Sequence, residues 1–128
     1  MGTDVTMVRE AMESVSKLIL AHRYQFGDEK ALQLALARLL DRNKIAFERE
    51  KQLSGGPIDF FLNETAIGLE IKTKGSPSAV SAQLLRYAND PALSGILLVT
   101  TKTTVARFIP SFLAGKPSGV VSLLGQAF

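Results

Sequence analysis

The stretch GGPIDFFLNETAIGLEIKTKG, running from Gly55 to Gly75, decides how the rest of the chain is read. Its second half, Ala66 to Lys72, has the two-residue period of a strand: Ile67, Leu69 and Ile71 point one way, Glu70 and Lys72 the other. The first half, Asp59-Phe60-Phe61-Leu62, is also strand-like. Between them Asn63-Glu64-Thr65 is polar, and Asn tolerates the positive φ that tight hairpins need. The two halves read as an antiparallel hairpin. Opposed residues point to the same side, so Asp59 joins Glu70 only if the loop has an even count, either Asn63-Glu64 or Asn63 through Ala66. A three-residue loop would bury Asp59 beside Leu69. An even loop gathers two carboxylates and an ammonium on one face, and carboxylates so close repel until a hard divalent cation or a basic group sits between them. Mg²⁺ or Mn²⁺ suits that gap.

Outward from the hairpin, the chain of 128 residues is one domain, with room for a real core but small for an enzyme that handles a polymer. Hydrophobic residues at 46% and charged residues at 21% indicate a globular protein, and a net charge of +3 leans modestly toward polyanions. Without cysteine there is no disulfide framework and no thiolate zinc site, and the lone His22 cannot build a histidine cluster. No apolar stretch approaches the ~18 residues of a membrane span and no signal segment opens the chain. A cytoplasmic, untargeted protein is the simplest expectation, with no membrane partner and no small-molecule cofactor.

Before the hairpin, Val5, Val8, Met12, Val15 and Ile19 make the stripe of a helix over Asp4 to Ala21, with Thr3 or Asp4 as N-cap. Met7, Ala11 and Leu18 widen the stripe enough to serve a partner chain as well as the core. Gly27 breaks the chain, and Asp28 caps a second helix through Arg42 with Leu32, Ala35, Leu36, Leu39 and Leu40 inward. Glu29 lies along the edge of that face, in line with Gln33, Leu36 and Leu40. A first strand, Ile45 to Glu50, leads through Ser54-Gly55-Gly56-Pro57 into the hairpin. Arg38, Arg42, Lys44, Arg49 and Lys51 cluster at this entry and suit a phosphate backbone, although such runs are more often a solvated face.

After Lys72, Lys74 to Ser78 reads as a loop and Ala79 to Asn89 as a helix stopped by Asp90-Pro91, carrying Gln83 and Tyr87 one turn apart. Gly95 to Thr101 is a buried strand that completes a βαβ crossover from the Lys72 strand. Arg107 to Ala114 reads as a short helix interrupted by Pro110, and Val120 to Leu124 as a last strand. The predicted fold is α/β.

Asp59, Glu70-Ile71-Lys72 and their hairpin resemble the PD-(D/E)xK nuclease superfamily, whose core hairpin carries an Asp and then, on the next strand, Glu or Asp, any residue, and Lys. Asp28-Glu29-Lys30 fits the same tripeptide but opens a helix, so strand context selects Glu70-Ile71-Lys72. Ile58 stands between Pro57 and Asp59, where the family often has Pro directly before its Asp. Gln83-x-x-x-Tyr87 after the Lys strand resembles the RecB-like branch; Glu29 with Gln33, and Gln83, resemble the virus-type replication-repair (VRR-NUC) branch. The resemblance covers residues 28–101 and implies a restriction-endonuclease-like core, a mixed sheet of about four to five strands flanked by helices. It divides the chain into a helical segment (1–26), a catalytic core (28–101) and an extension (102–128).

What the resemblance further implies is a Mg²⁺-dependent deoxyribonuclease. Asp59 and Glu70, with the backbone carbonyl of Ile71, would hold the metal. Lys72 would act on the attacking water or on charge at the phosphate, Gln83 would orient nucleophile or phosphate, and Glu29 and Tyr87 would support them. Arg49, Lys51, Lys74 and Arg86 are the expected DNA contacts. Related structure-specific nucleases suggest a homodimer, through the first helix or the Val120 to Leu124 strand. Two rivals are a non-catalytic nucleic-acid-binding protein keeping this fold and a small α/β domain in which Glu70 and Lys72 are a strand-surface ion pair.

Overall fold

A computed structural model describes residues 4–24 and 28–123 of the chain. Four helices and six strands occur among them, in the order α1 (Val5–Leu20), α2 (Glu29–Arg42), β1 (Phe47–Leu53), β2 (Gly56–Leu62), β3 (Ile67–Lys72), α3 (Pro77–Ala88), β4 (Gly95–Thr100), α4 (Thr103–Ala106), β5 (Phe112–Leu113) and β6 (Lys116–Ser122). The strands form one mixed sheet in the order β1-β2-β3-β4-β6-β5. Strands β1, β2 and β3 are an antiparallel meander, and β3, β4 and β6 run parallel. The chain is therefore α/β with helices on both faces of the sheet.

Helices α1, α2 and α3 each start where a side chain can accept an orphan N–H. Asp4 takes the Thr6 N–H and Asp28 the Ala31 N–H, both at 2.8 Å, and loss of such a cap costs about 1 kcal/mol. In α1, Val8, Met12, Val15 and Ile19 are buried; in α2, Leu32, Leu36, Leu39 and Leu40. Both stripes press on one sheet face against Phe60, Leu62, Leu69, Ile71, Leu97 and Val99. The other face, carrying Ile58, Phe61, Ile96 and Leu98, is covered by Val80, Leu84 and Tyr87 of α3 and Val105 of α4.

Several expected boundaries move. Helix α3 starts at Pro77, two residues before the predicted Ala79: proline at the first helical position forfeits no bond, and the Ser76 hydroxyl caps it by accepting the Ala79 N–H at 3.2 Å. Strand β1 begins at Phe47 and continues past Glu50 to Leu53, where Ser54-Gly55 turn tightly into β2 through Gly56 at φ 120°. The short helix expected over Arg107 to Ala114 is instead α4, ending at Ala106, followed by β5, which raises the strand count to six. The last strand is Lys116–Ser122; Thr3, Gly27 and Leu124 lie outside the described residues.

Two local features decide where the site can form. The β2–β3 loop is the four-residue one, Asn63 through Ala66, because Phe60 faces Leu69 and Phe61 faces Gly68. The positive φ expected of Asn63 falls on Ala66, at 60°, whose N–H bonds the Leu62 carbonyl at 2.8 Å. Asn63 instead ties the hairpin to β1, donating its backbone N–H to Ala46 O and its side-chain amide to Glu48. In β1, Glu50 adopts φ 50°, a conformation uncommon for residues with a Cβ. Alternation breaks there: the Arg49 guanidinium lies 4.9 Å over the Phe60 ring on the α1–α2 side, and the Lys51 ammonium 4.9 Å over the Phe61 ring on the α3 side.

Candidate active site

Continuing the β2–β3 register outward from Phe60 and Leu69 brings Asp59 opposite Glu70, but backbone pairing stops before them. The strands fork, and the two carboxylates replace the missing ladder. Asp59 Oδ2 accepts the Ile71 N–H at 2.8 Å, and Glu70 Oε1 accepts the Asp59 N–H at 3.1 Å. A buried peptide N–H must find an acceptor, so each strand's carboxylate is held by the other strand's backbone. Lys72 lies on the same face as Glu70, its Nζ 3.5 Å from Glu70 Oε2.

Burial dominates the electrostatics. Glu70 is only 3% exposed, and desolvation, followed by the Asp59 charge, pushes its carboxyl up to about 8. Asp59 is also raised, again chiefly by burial, with the Ile71 N–H pulling the other way and the Glu29 charge adding to the rise. The Lys72 ammonium offsets only part of this. The result is a pair of mutually repelling carboxylates rich in oxygen donors, an arrangement that fits a hard divalent cation. Among the described residues no three His, Asp or Glu side chains converge on one point, so such an ion would need main-chain oxygen or water besides these two.

Three further predicted residues reach this centre. Glu29, the first residue of α2, extends over the end of β3, where its Oε1 accepts the Thr73 N–H at 3.1 Å. Gln83 Nε2 donates to the Tyr87 hydroxyl at 2.9 Å, and that hydroxyl donates to the Pro57 carbonyl at 2.8 Å. Tyr87 is thus a buried strut from α3 to β2, two residues before Asp59, with its phenol raised to about 12 by burial and then by the Glu70 charge. Pro57 has a place in the site as an acceptor although Ile58 separates it from Asp59.

The expected basic contacts divide. Lys74 and Arg86 are exposed. Arg49 is spent on Phe60 and on Gln33 Oε1, 3.2 Å away, and Lys51 pairs with Glu48 at 3.5 Å, so the two do not form one patch. Sequence reasoning missed Thr73 and also Lys102, whose Nζ donates to the Gly75 carbonyl at 3.2 Å. It also missed Asp90, which accepts the Ser54 N–H at 2.7 Å and the Ala92 N–H at 2.8 Å. No helix among the described residues is long and apolar enough to cross a membrane. No protein-family model, curated protein or solved structure matches the chain.

Proposed function

We propose that the chain is a metal-dependent nuclease of the PD-(D/E)xK type that hydrolyses phosphodiester bonds in DNA. The observation that carries the reading is the fork between β2 and β3, where buried Glu70 and half-buried Asp59 are locked by exchanged main-chain bonds with the Lys72 ammonium beside Glu70. Asp59, Glu70 and the Ile71 carbonyl would hold Mg²⁺ or Mn²⁺. When bound, the ion supplies polarisation of the phosphate and a more acidic water. Lys72 meets the attacking water or the charge developing on phosphate oxygen. Glu29 fixes the chain just beyond Lys72, and Tyr87 steadies both Pro57 and Gln83, whose amide orients the phosphate or nucleophile. Lys74 and Arg86 supply backbone contacts. The working unit is a homodimer that uses the part of α1 left over from the core, where Val5 is 43% and Met7 63% exposed; light scattering showing a monomer that is fully active when dilute would exclude it.

The test is cleavage of linear, nicked, flapped and four-way DNA with and without Mg²⁺. Wild type cuts only with metal, and Asp59→Ala, Glu70→Ala and Lys72→Ala each lose cleavage while staying folded; full activity in any of them defeats the assignment. One observation favours a second reading. Asp59 and Glu70 already satisfy backbone N–H groups, a structural task that a non-catalytic nucleic-acid-binding protein of this fold would also need. Calorimetry separates the two: the nuclease binds Mg²⁺, loses it with Glu70→Ala and keeps much of it with Lys72→Ala.

A further inference from the structure

Strands β3 and β4 run parallel and in register to their ends, Lys72 beside Thr100, so the segments that follow them leave the sheet at the same place. After β3 come Thr73, Lys74 and Gly75; after β4 come Thr101 and Lys102. The fully buried Thr100 hydroxyl accepts the Lys102 N–H at 3.0 Å, which fixes where the Lys102 side chain starts. Its Nζ then crosses to the Gly75 carbonyl at 3.2 Å. The loop after Lys72 is held at both sides, by Glu29 at Thr73 and by Lys102 at Gly75.

An ammonium has three donors and this contact uses one. Among the described residues no carboxylate lies within ion-pair distance of Lys102 or Lys74. Lys74 and Lys102, neither neutralised by a carboxylate, are therefore carried on the two segments that leave β3 and β4 at the Lys72 end of the parallel strands. Such a concentration is unfavourable by itself and is relieved by a polyanion. Building on the nuclease reading, we propose that Lys102 is a phosphate-binding residue of this site, gripping the DNA backbone beside the scissile phosphate where the strand passes over the ends of β3 and β4.

A phosphate contact has a signature that a loop tie lacks: it releases counterions, so its loss flattens the salt dependence of binding by about 0.9 in log–log slope on duplex DNA. The experiment is anisotropy of a short fluorescein-labelled DNA duplex with Ca²⁺ replacing Mg²⁺, using wild type, Lys102→Ala, Lys102→Gln and Lys102→Arg, with Lys17→Ala on exposed α1 as control. Between about 50 and 200 mM salt, wild type should lose about threefold more affinity than Lys102→Ala or Lys102→Gln. Lys102→Arg should restore the wild-type slope, and Lys17→Ala should match it. Weaker binding with an unchanged slope reduces Lys102 to a loop tie and overturns the proposal. Wild-type affinity and slope in a folded Lys102→Gln overturn it too, while the nuclease reading stands if wild type cleaves. A wild type that neither binds nor cleaves DNA removes both.

Discussion

Glu70→Gln should make the metal-free protein more stable, and increasingly so as pH rises. The amide keeps an oxygen for the Asp59 N–H, now 3.1 Å from Glu70 Oε1, and removes the charge that burial opposes. In the unfolded chain Glu70 ionises around 4.5, and in the fold at about 8. The sign follows from proton counting: between these values the folded state holds a proton that the unfolded state has released, so stability falls as pH rises. The contribution is complete below 4.5 and is lost through 8. From pH 5 to pH 9 the wild type should lose about 4 kcal/mol relative to Glu70→Gln, at about 1.4 kcal/mol for each tenfold change in proton activity. Little is returned to solvent screening, because Glu70 is almost wholly buried. The Lys72 ammonium attracts Glu70 only once the carboxyl ionises near pH 8, and that attraction is already contained in the folded-state value of about 8, so it subtracts nothing further. In urea with EDTA the gap between the two midpoints should widen by about 2 M across that range, taking a slope of about 2 kcal/mol per M. Under the proposed function, Mg²⁺ narrows the gap by stabilising only the wild type. A gap independent of pH, or a variant less stable than wild type at pH 9, would refute the assignment of Glu70 as a strained buried carboxyl.

Tyr87→Phe should lower stability by about 1–2 kcal/mol, because both Gln83 and the Pro57 carbonyl lose the hydroxyl. Gln83→Ala should leave thermal stability nearly unchanged yet slow cleavage more, and the reverse ranking in paired melting and activity assays would show the roles exchanged. Gly68→Ala would place a methyl 2.4 Å from Ile58 Cδ1 and 3.1 Å from Leu93, so a loss of about 1–3 kcal/mol is expected. Ile58→Val, which removes that atom, should recover part of it; strict additivity in the double-mutant cycle would contradict the packing behind the fork.

What could be read from sequence was what has a short period. The alternation of Ile67, Leu69 and Ile71 with Glu70 and Lys72 specified the faces of β3, and the helical stripes specified what α1 and α2 bury. The even hairpin loop was one of the alternatives that parity allowed, though the residue that takes up the strain is Ala66, which carries no turn signature. Pairings across 44 and 27 positions, Glu29 with Thr73 and Lys102 with Gly75, depend on how α2 packs over β3 and on the register of β3 with β4, and leave no local mark. The end of β1 was missed for a related reason: the strand reads only to Glu50 because Lys51 and Gln52 after it are polar, and only pairing with β2 makes Lys51 to Leu53 strand.

The left-handed residue within β1 bears on how copies of this chain can meet. The strand is the outer margin of the sheet, and a straight margin of unpaired backbone invites another molecule to extend it. A margin that twists at Glu50 and bristles with alternating charge is a poor template, so growth of the sheet in that direction is blocked. At the opposite margin β5 pairs with Lys116 and Pro117 of β6, and the Ser118 backbone is taken by Ser111 and Arg9, so strand addition there is confined to the remainder of β6. Among the described residues the sheet therefore has one closed side and one that is half open.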